Sequence, residues 1–72
     1  MIWRTGDQCW LRYLDRTVRA EVSLASGNGR SLMLRFEAVV DGHVGSMPVL
    51  MDADGVFRSL VTEEEVTLCP VT

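Results

Sequence analysis

The stretch TVRAEVSLASGNGRSLMLRFEAVV, Thr17 to Val40, decides the fold because two alternating segments surround one turn. In the first segment, apolar residues occupy every second position, at Val18, Ala20, Val22 and Leu24. In the second, one face carries Leu32, Leu34, Phe36 and Ala38, and the other carries Met33, Arg35, Glu37 and Val39. Successive side chains of a strand point to opposite faces, so this period of two predicts two strands, each with a core side and a solvent side. Asn28-Gly29 between them accepts the positive φ angles of a type I′ hairpin turn.

Turn residues divide the rest of the chain into further short strands. Leu14–Thr17, Asp41-Gly42 and Asp52–Gly55 each offer a reversal, because Gly and Asp favour turns. The predicted strands are 8–14, 17–25, 31–40, 44–51, 56–60 and 66–70. The spacing of Thr62 and Glu65 fits a capping box, which predicts a single 3₁₀ turn before the last strand.

Five or six short strands with tight hairpins in 72 residues indicate an all-β fold, built as one barrel domain over residues 1–72. The pattern, with its 3₁₀ turn before the last strand, resembles the Src-homology-3-like barrel. In that barrel the first and last strands are neighbours, which brings Cys9 and Cys69 close together. Alternation points Cys9 to the interior and Cys69 to the solvent, so two free thiols are expected.

The composition excludes several classes of chemistry and location. The chain contains no Lys, so it cannot form a Schiff base. The same absence is typical of a GC-rich coding sequence and favours a bacterial source. The N-terminal MIWRTGDQ lacks the apolar segment of a secretory signal, and no run approaches the length of a membrane span. A cytoplasmic protein is therefore expected.

Charge is distributed unevenly along the chain, although the net charge is only −3. The acidic net charge opposes sequence-independent nucleic-acid binding, which depends on neutralising phosphates. Residues 1–36 carry six arginines against three acids, whereas residues 37–72 carry one arginine against seven acids. Because the two halves would interleave in a closed barrel, we expect most of this asymmetry to be neutralised locally. An acidic end would remain near Glu63, Glu64 and Glu65.

The segment GDQCWLRYLDRTVRAEV, Gly6 to Val22, resembles the first hairpin of Tudor domains. The matching positions are Gly6, Cys9, Tyr13, Asp15, Arg19, Ala20 and Val22. A Tudor methyl-ligand cage surrounds a cation with several aromatic faces. Tyr13 takes the first cage position, but Val18 stands where the family has a second aromatic residue. The resemblance therefore implies the barrel, without binding of methyl-lysine or methyl-arginine.

The residues capable of chemistry are isolated from one another. His43 is the only histidine, and no carboxylate or nucleophile is placed reliably beside it, so an exposed loop histidine is expected. Asp52, Asp54 and Glu63 have part of the spacing of a calcium loop, but the β character of the intervening VFRSLV contradicts the helix that such a loop needs. We therefore predict no catalytic, cofactor-binding or metal-binding residues and no enzyme activity.

The best candidate for a functional surface is the outer face of the first three strands. The predicted interaction surface consists of Trp10, Arg12, Arg19, Met33 and Arg35. Trp, Arg and Met are enriched in the cores of protein interfaces. In the alternative interpretation, Arg19 and Arg35 form cross-strand ion pairs with Glu21 and Glu37 around a tryptophan that lies flat on the sheet.

Three functions are compatible with this surface. The first is a non-catalytic protein-interaction module, with self-association into a homo-oligomer as one form of it. The second is a small-molecule or enzymatic site formed between subunits of an oligomer, because one small barrel offers too few polar groups in a concave site. The third is weak nucleic-acid binding through the arginine-rich sheet. None of the three requires a cofactor or a membrane.

Overall fold

A computed structural model describes residues 2–37 and 44–71, which form a closed barrel of six antiparallel strands. The strands are β1 Gln8–Tyr13, β2 Arg16–Ala25, β3 Ser31–Glu37, β4 Val44–Met51, β5 Phe57–Ser59 and β6 Glu65–Pro70. Each strand pairs with the next one along the chain, and β6 returns to pair with β1. The all-β prediction is confirmed, and the barrel is consistent with the Src-homology-3-like type. The predicted turn at Asp41-Gly42, residues 38–40 of the predicted third strand, and His43 lie outside the described residues.

The inward side chains of the barrel meet in one apolar core. Its buried members are Trp3, Cys9, Leu11, Ala20, Val22, Leu32, Leu34, Met47, Val49, Phe57 and Val66. Phe36 is half-buried and packs against this cluster. Cys9 is buried and Cys69 is exposed, and both are free thiols, as the alternation predicted. The period of two therefore sorts nearly every strand residue correctly.

The exception is Leu24, at the end of β2. The β2–β3 register shifts between Val22 and Leu24, so Ser23 and Leu24 together span the position opposite Met33. Ser23 Oγ donates a hydrogen bond to the Met33 carbonyl at 3.1 Å. The extra residue reverses the alternation: Leu24 is 67% exposed, and Ala25 is half-buried against the core. The prediction that Leu24 shares the inward face was wrong, because a β-bulge is a property of strand pairing and not of one strand's periodicity.

The β2–β3 turn also differs from the predicted type. The amide of Gly29 donates to the Ser26 carbonyl at 2.9 Å, and positive φ occurs at Gly29 (70°) but not at Asn28. The type I′ prediction was therefore wrong, since that turn needs positive φ at both central residues. Asn28 acts through its side chain instead: its Oδ1 accepts from the Arg30 amide at 3.1 Å and from Ser26 Oγ at 2.7 Å.

The predicted 3₁₀ turn before the last strand is not confirmed. The Ser59 carbonyl accepts from the Glu63 amide four residues later at 2.9 Å, and Ser59 N donates to the Glu64 carbonyl at 2.9 Å. The buried Ser59 hydroxyl accepts from the amides of Val61 at 3.2 Å and Thr62 at 3.3 Å. A wider loop replaces the helical turn because the Ser59 side chain accepts hydrogen bonds from amides that would have no partner at the start of a helix.

The N-terminal segment closes one end of the barrel. Gly6 N donates to the Val22 carbonyl at 2.7 Å, which ties the segment to β2. Trp3 is only 7% exposed and belongs to the core. Gly29 lies directly beneath this segment: a Cβ added there would meet Ile2 Cγ2 at 2.6 Å and the Trp3 backbone at 3.3 Å. The β2–β3 turn and the N-terminus therefore pack as one unit.

Candidate functional site

Trp10 and Arg19 form the centre of the predicted interaction surface. The register places them opposite each other in the β1–β2 pair, and both side chains point outward. The Arg19 guanidinium carbon lies 5.9 Å from the centroid of the indole ring, within the range of a cation–π interaction. Trp10 remains 43% exposed. The pair is thus an ordered, partly apolar and positively charged feature on the barrel surface.

The other three predicted residues surround this pair on the same side of the sheet. Arg12 lies on β1, opposite Thr17, and is exposed. Arg35 lies on β3, opposite Glu21, and is exposed. Met33 is half-buried beside the bulge, and the register places it farthest from Trp10. We call this surface the Trp–Arg face; its members are Trp10, Arg12, Arg19, Met33 and Arg35.

The charge asymmetry of the two halves persists in the folded barrel. Both ion pairs among the described residues are made by Arg58, with Asp52 at 3.2 Å and with Glu65 at 3.6 Å, all within the acidic half. Local neutralisation between the halves was expected, and no such ion pair joins them in this part of the chain. The alternative interpretation paired Arg19 and Arg35 with Glu21 and Glu37. Glu21 makes no ion pair with either arginine, and the side chain of Glu37 lies outside the described part of the structure. Glu21 Oε2 instead accepts from Gln8 Nε2 at 3.1 Å.

A second surface, which the sequence did not reveal, lies around β4, β5 and the 60–64 loop. Six residues line an open groove of about 450 Å³: Leu50, Asp52, Arg58, Ser59, Leu60 and Glu63. Leu50 and Leu60 are both exposed, and Val61 beside them is 74% exposed. The apolar Leu60-Val61 pair inside the polar stretch SLVTEEE was the available signal. The sequence alone does not show that this pair belongs to a larger apolar surface. The third apolar residue, Leu50, lies ten residues earlier and is brought near only by the β4–β5 pairing.

Asp52 organises the base of this groove. Its Oδ1 accepts from the amides of Asp54 at 2.9 Å and Val56 at 3.0 Å, and its Oδ2 accepts from Arg58 Nε at 3.2 Å. The hydrogen bond from Val56, with those from Asp54 and Arg58, holds the pKa of the Asp52 carboxyl below its usual value. The predicted Asp52–Gly55 reversal is thus a turn in which the Asp52 carboxylate accepts hydrogen bonds from nearby backbone amides and from the Arg58 side chain.

The Tudor-like cage positions carry no cation site. Tyr13 is half-buried against the core, and its hydroxyl donates to Thr62 Oγ1 at 3.1 Å. Val18 also packs against the core. Within residues 2–37 and 44–71, no group of three His, Cys, Asp or Glu side chains is arranged to hold a metal ion. None of the described segments is a helix long and apolar enough to cross a membrane.

The chain matches no protein-family model, no curated protein and no solved structure.

Proposed function

We propose that this Src-homology-3-like barrel is a non-catalytic protein-interaction module that binds its partner through the Trp–Arg face. The observation that carries the proposal is the ordered stacking of Arg19 over the half-exposed Trp10. Tryptophan and arginine dominate binding energy when a partner covers them, because they combine large apolar area with directed hydrogen bonds. The two unpaired thiols fit the reducing conditions of the cytoplasm.

The Trp–Arg face is pre-ordered for binding. Two flexible side chains normally lose rotamer entropy when an interface forms, at about 0.5–1.5 kcal/mol for each immobilised side chain. Arg19 is already held against the indole, and both residues project from the paired strands β1 and β2. The rigid sheet and the existing contact therefore lower the entropy cost of association.

The charge on this face favours an acidic partner. Arg12, Arg19 and Arg35 make no ion pair with any side chain that the structure describes, and Glu21 is the acid of this face whose side chain is described. A carboxylate-bearing protein would find exposed guanidinium groups beside an apolar ring. Arginine binds carboxylates in a bidentate manner, so such contacts would be directional as well as electrostatic.

Site-specific photocrosslinking in the native cells tests the proposal. A photoreactive phenylalanine analogue at Arg12, on the rim of the Trp–Arg face, is expected to capture a protein. The same analogue at Leu14, which is 63% exposed but outside the face, is the matched control and should not. Adding Trp10→Ala to the Arg12 probe should abolish capture, because losing a central tryptophan weakens binding roughly 30-fold. Equal capture from both positions, or a nuclease-sensitive product alone, would refute the proposal.

A further inference from the structure

We infer that the partner of the Trp–Arg face is a second copy of this chain, which docks it head-to-tail into the groove around Leu50, Leu60 and Glu63. This inference rests on the proposed function and names its partner. The groove and the Trp–Arg face have matching chemistry, opposite charge and separate positions on the barrel. The first two observations favour the docking, and the third makes the contact intermolecular.

The groove and the Trp–Arg face match in shape and polarity. The groove offers about 450 Å³ of open space between the exposed side chains of Leu50 and Leu60. The Trp–Arg face offers one projecting indole, that of Trp10. Aromatic anchors that enter apolar grooves are the usual centres of protein interfaces. Covering Leu60 and Val61 would also remove exposed apolar area from water, which favours association.

Charge is complementary between the two surfaces. Arg12, Arg19 and Arg35 on the Trp–Arg face outnumber Glu21, the one acid of that face whose side chain the structure describes. At the groove, Arg58 is already bonded to Asp52 and Glu65, while Glu63 and Glu64 are exposed and make no ion pair with another described residue. An arginine of one copy would therefore meet the exposed carboxylates of the next. Because like charges oppose pairing, the Trp–Arg face is poorly suited to bind another Trp–Arg face.

The positions of the two surfaces exclude an internal contact. The strands form a ring of six in chain order, so β2 and β5 lie three strands apart. Arg19 on β2 and Arg58 on β5 consequently face opposite sides of the barrel. A chain cannot fill its own groove with its own indole, so a contact between these two surfaces would join separate copies. A head-to-tail contact of this kind leaves one face and one groove open, which produces rings or filaments instead of a closed two-fold dimer.

A charge-swap experiment on the full chain tests this geometry. Light scattering should show a mass that rises with concentration beyond a dimer, and the association should weaken at high salt. Arg19→Glu and Glu63→Arg should each weaken association on the order of tenfold or more. Arg4→Glu and Asp15→Arg change charge equally at exposed positions outside both surfaces and should have no effect. The double variant Arg19→Glu/Glu63→Arg should associate again, since the swapped charges meet between neighbouring copies.

The other outcomes overturn the inference in distinguishable ways. A mass that stops at a dimer and responds to Arg19→Glu but not to Glu63→Arg would indicate a two-fold contact through the Trp–Arg face. A chain that stays monomeric up to about 1 mM would exclude any useful self-association. If the chain stays monomeric, capture of a different protein by the Arg12 probe would still support the proposed function. Failure of both experiments would reject the proposed function as well.

Discussion

Arg19 lies over the indole ring of Trp10, with its guanidinium carbon 5.9 Å from the ring centroid. The two residues are direct partners in the β1–β2 register. Arg19 therefore contacts the ring and makes no ion pair with Glu21, which accepts a hydrogen bond from Gln8 instead. This contact also leaves the cation on the surface, where it can meet a partner's carboxylate.

Removing the cation from this pair should expose the indole without unfolding the barrel. We expect Arg19→Ala to lower the free energy of unfolding by less than about 1 kcal/mol, because exposed cation–π contacts are weak. Quenching of Trp10 fluorescence by acrylamide should increase, measured in a Trp3→Phe background. Arg4→Ala is the control and should leave quenching unchanged. Unaltered quenching in Arg19→Ala would show that the stacked arrangement is not populated.

Two leucines with similar sequence patterns should differ sharply in their contribution to stability. Leu34 is fully buried, so Leu34→Ala should cost about 3 kcal/mol through lost burial and the cavity left behind. Leu24 is turned outward by the bulge, so Leu24→Ala should change stability by less than about 0.5 kcal/mol. Urea denaturation measures both. A cost at Leu24 comparable with that at Leu34 would mean that the strand has no bulge.

The β1–β2 hairpin contains a strained leucine. Tyr13 pairs with Arg16, which leaves Leu14 and Asp15 as a two-residue turn, and Leu14 has a φ of 55°. Glycine is preferred where the first turn residue has positive φ. We expect Leu14→Gly to stabilise the barrel by about 0.5–1 kcal/mol in thermal or urea unfolding. Leu14→Ala removes the exposed side chain but keeps the Cβ, so it should not stabilise equally.

Gly29 should tolerate no side chain, in contrast to Gly27 in the same loop. An added Cβ at Gly29 would lie 2.6 Å from Ile2 Cγ2 and would also hold a strained φ of 70°. Gly29→Ala should therefore destabilise the barrel by about 1–3 kcal/mol. Gly27 has no atom within 4 Å of that position and no positive φ, so Gly27→Ala should be neutral or nearly so. Equal melting temperatures for the two variants would contradict this account of the N-terminal packing.

The buried thiol of Cys9 should make stability fall at alkaline pH. Burial, together with the nearby Asp7 and Cys69, raises the pKa of Cys9 from 9.0 to about 11. The unfolded chain loses this proton first, so stability is fully present below the unfolded pKa and is lost as pH rises through the folded value. The expected loss is roughly 2–3 kcal/mol for a shift of this size.

Urea unfolding between about pH 8 and 11 measures this loss. The Cys9→Ala variant should lose most of the alkaline decline, whereas Cys69→Ala should retain it because Cys69 is exposed. A decline of equal slope in Cys9→Ala would assign the effect to another group. Alkylation of the folded chain should modify Cys69 alone.

The alternation of apolar and polar residues by itself determined the strands, the inward positions of Cys9, Leu32 and Leu34, and the outward position of Trp10. Those properties are local, because side chains alternate along a regular strand in which no bulge intervenes. The turn at Asp52 was equally predictable, since a short carboxylate readily accepts hydrogen bonds from backbone amides a few residues later.

Only the tertiary structure decided how the strands meet. The bulge that exposes Leu24, the stacking of Arg19 on Trp10, and the groove between Leu50 and Leu60 all depend on register between separate strands. The separation of the basic and acidic surfaces also depends on the closed barrel, because its strand order places β1–β3 on one side and β4–β6 on the other. Register is set by the closure of the whole barrel, which no single segment encodes.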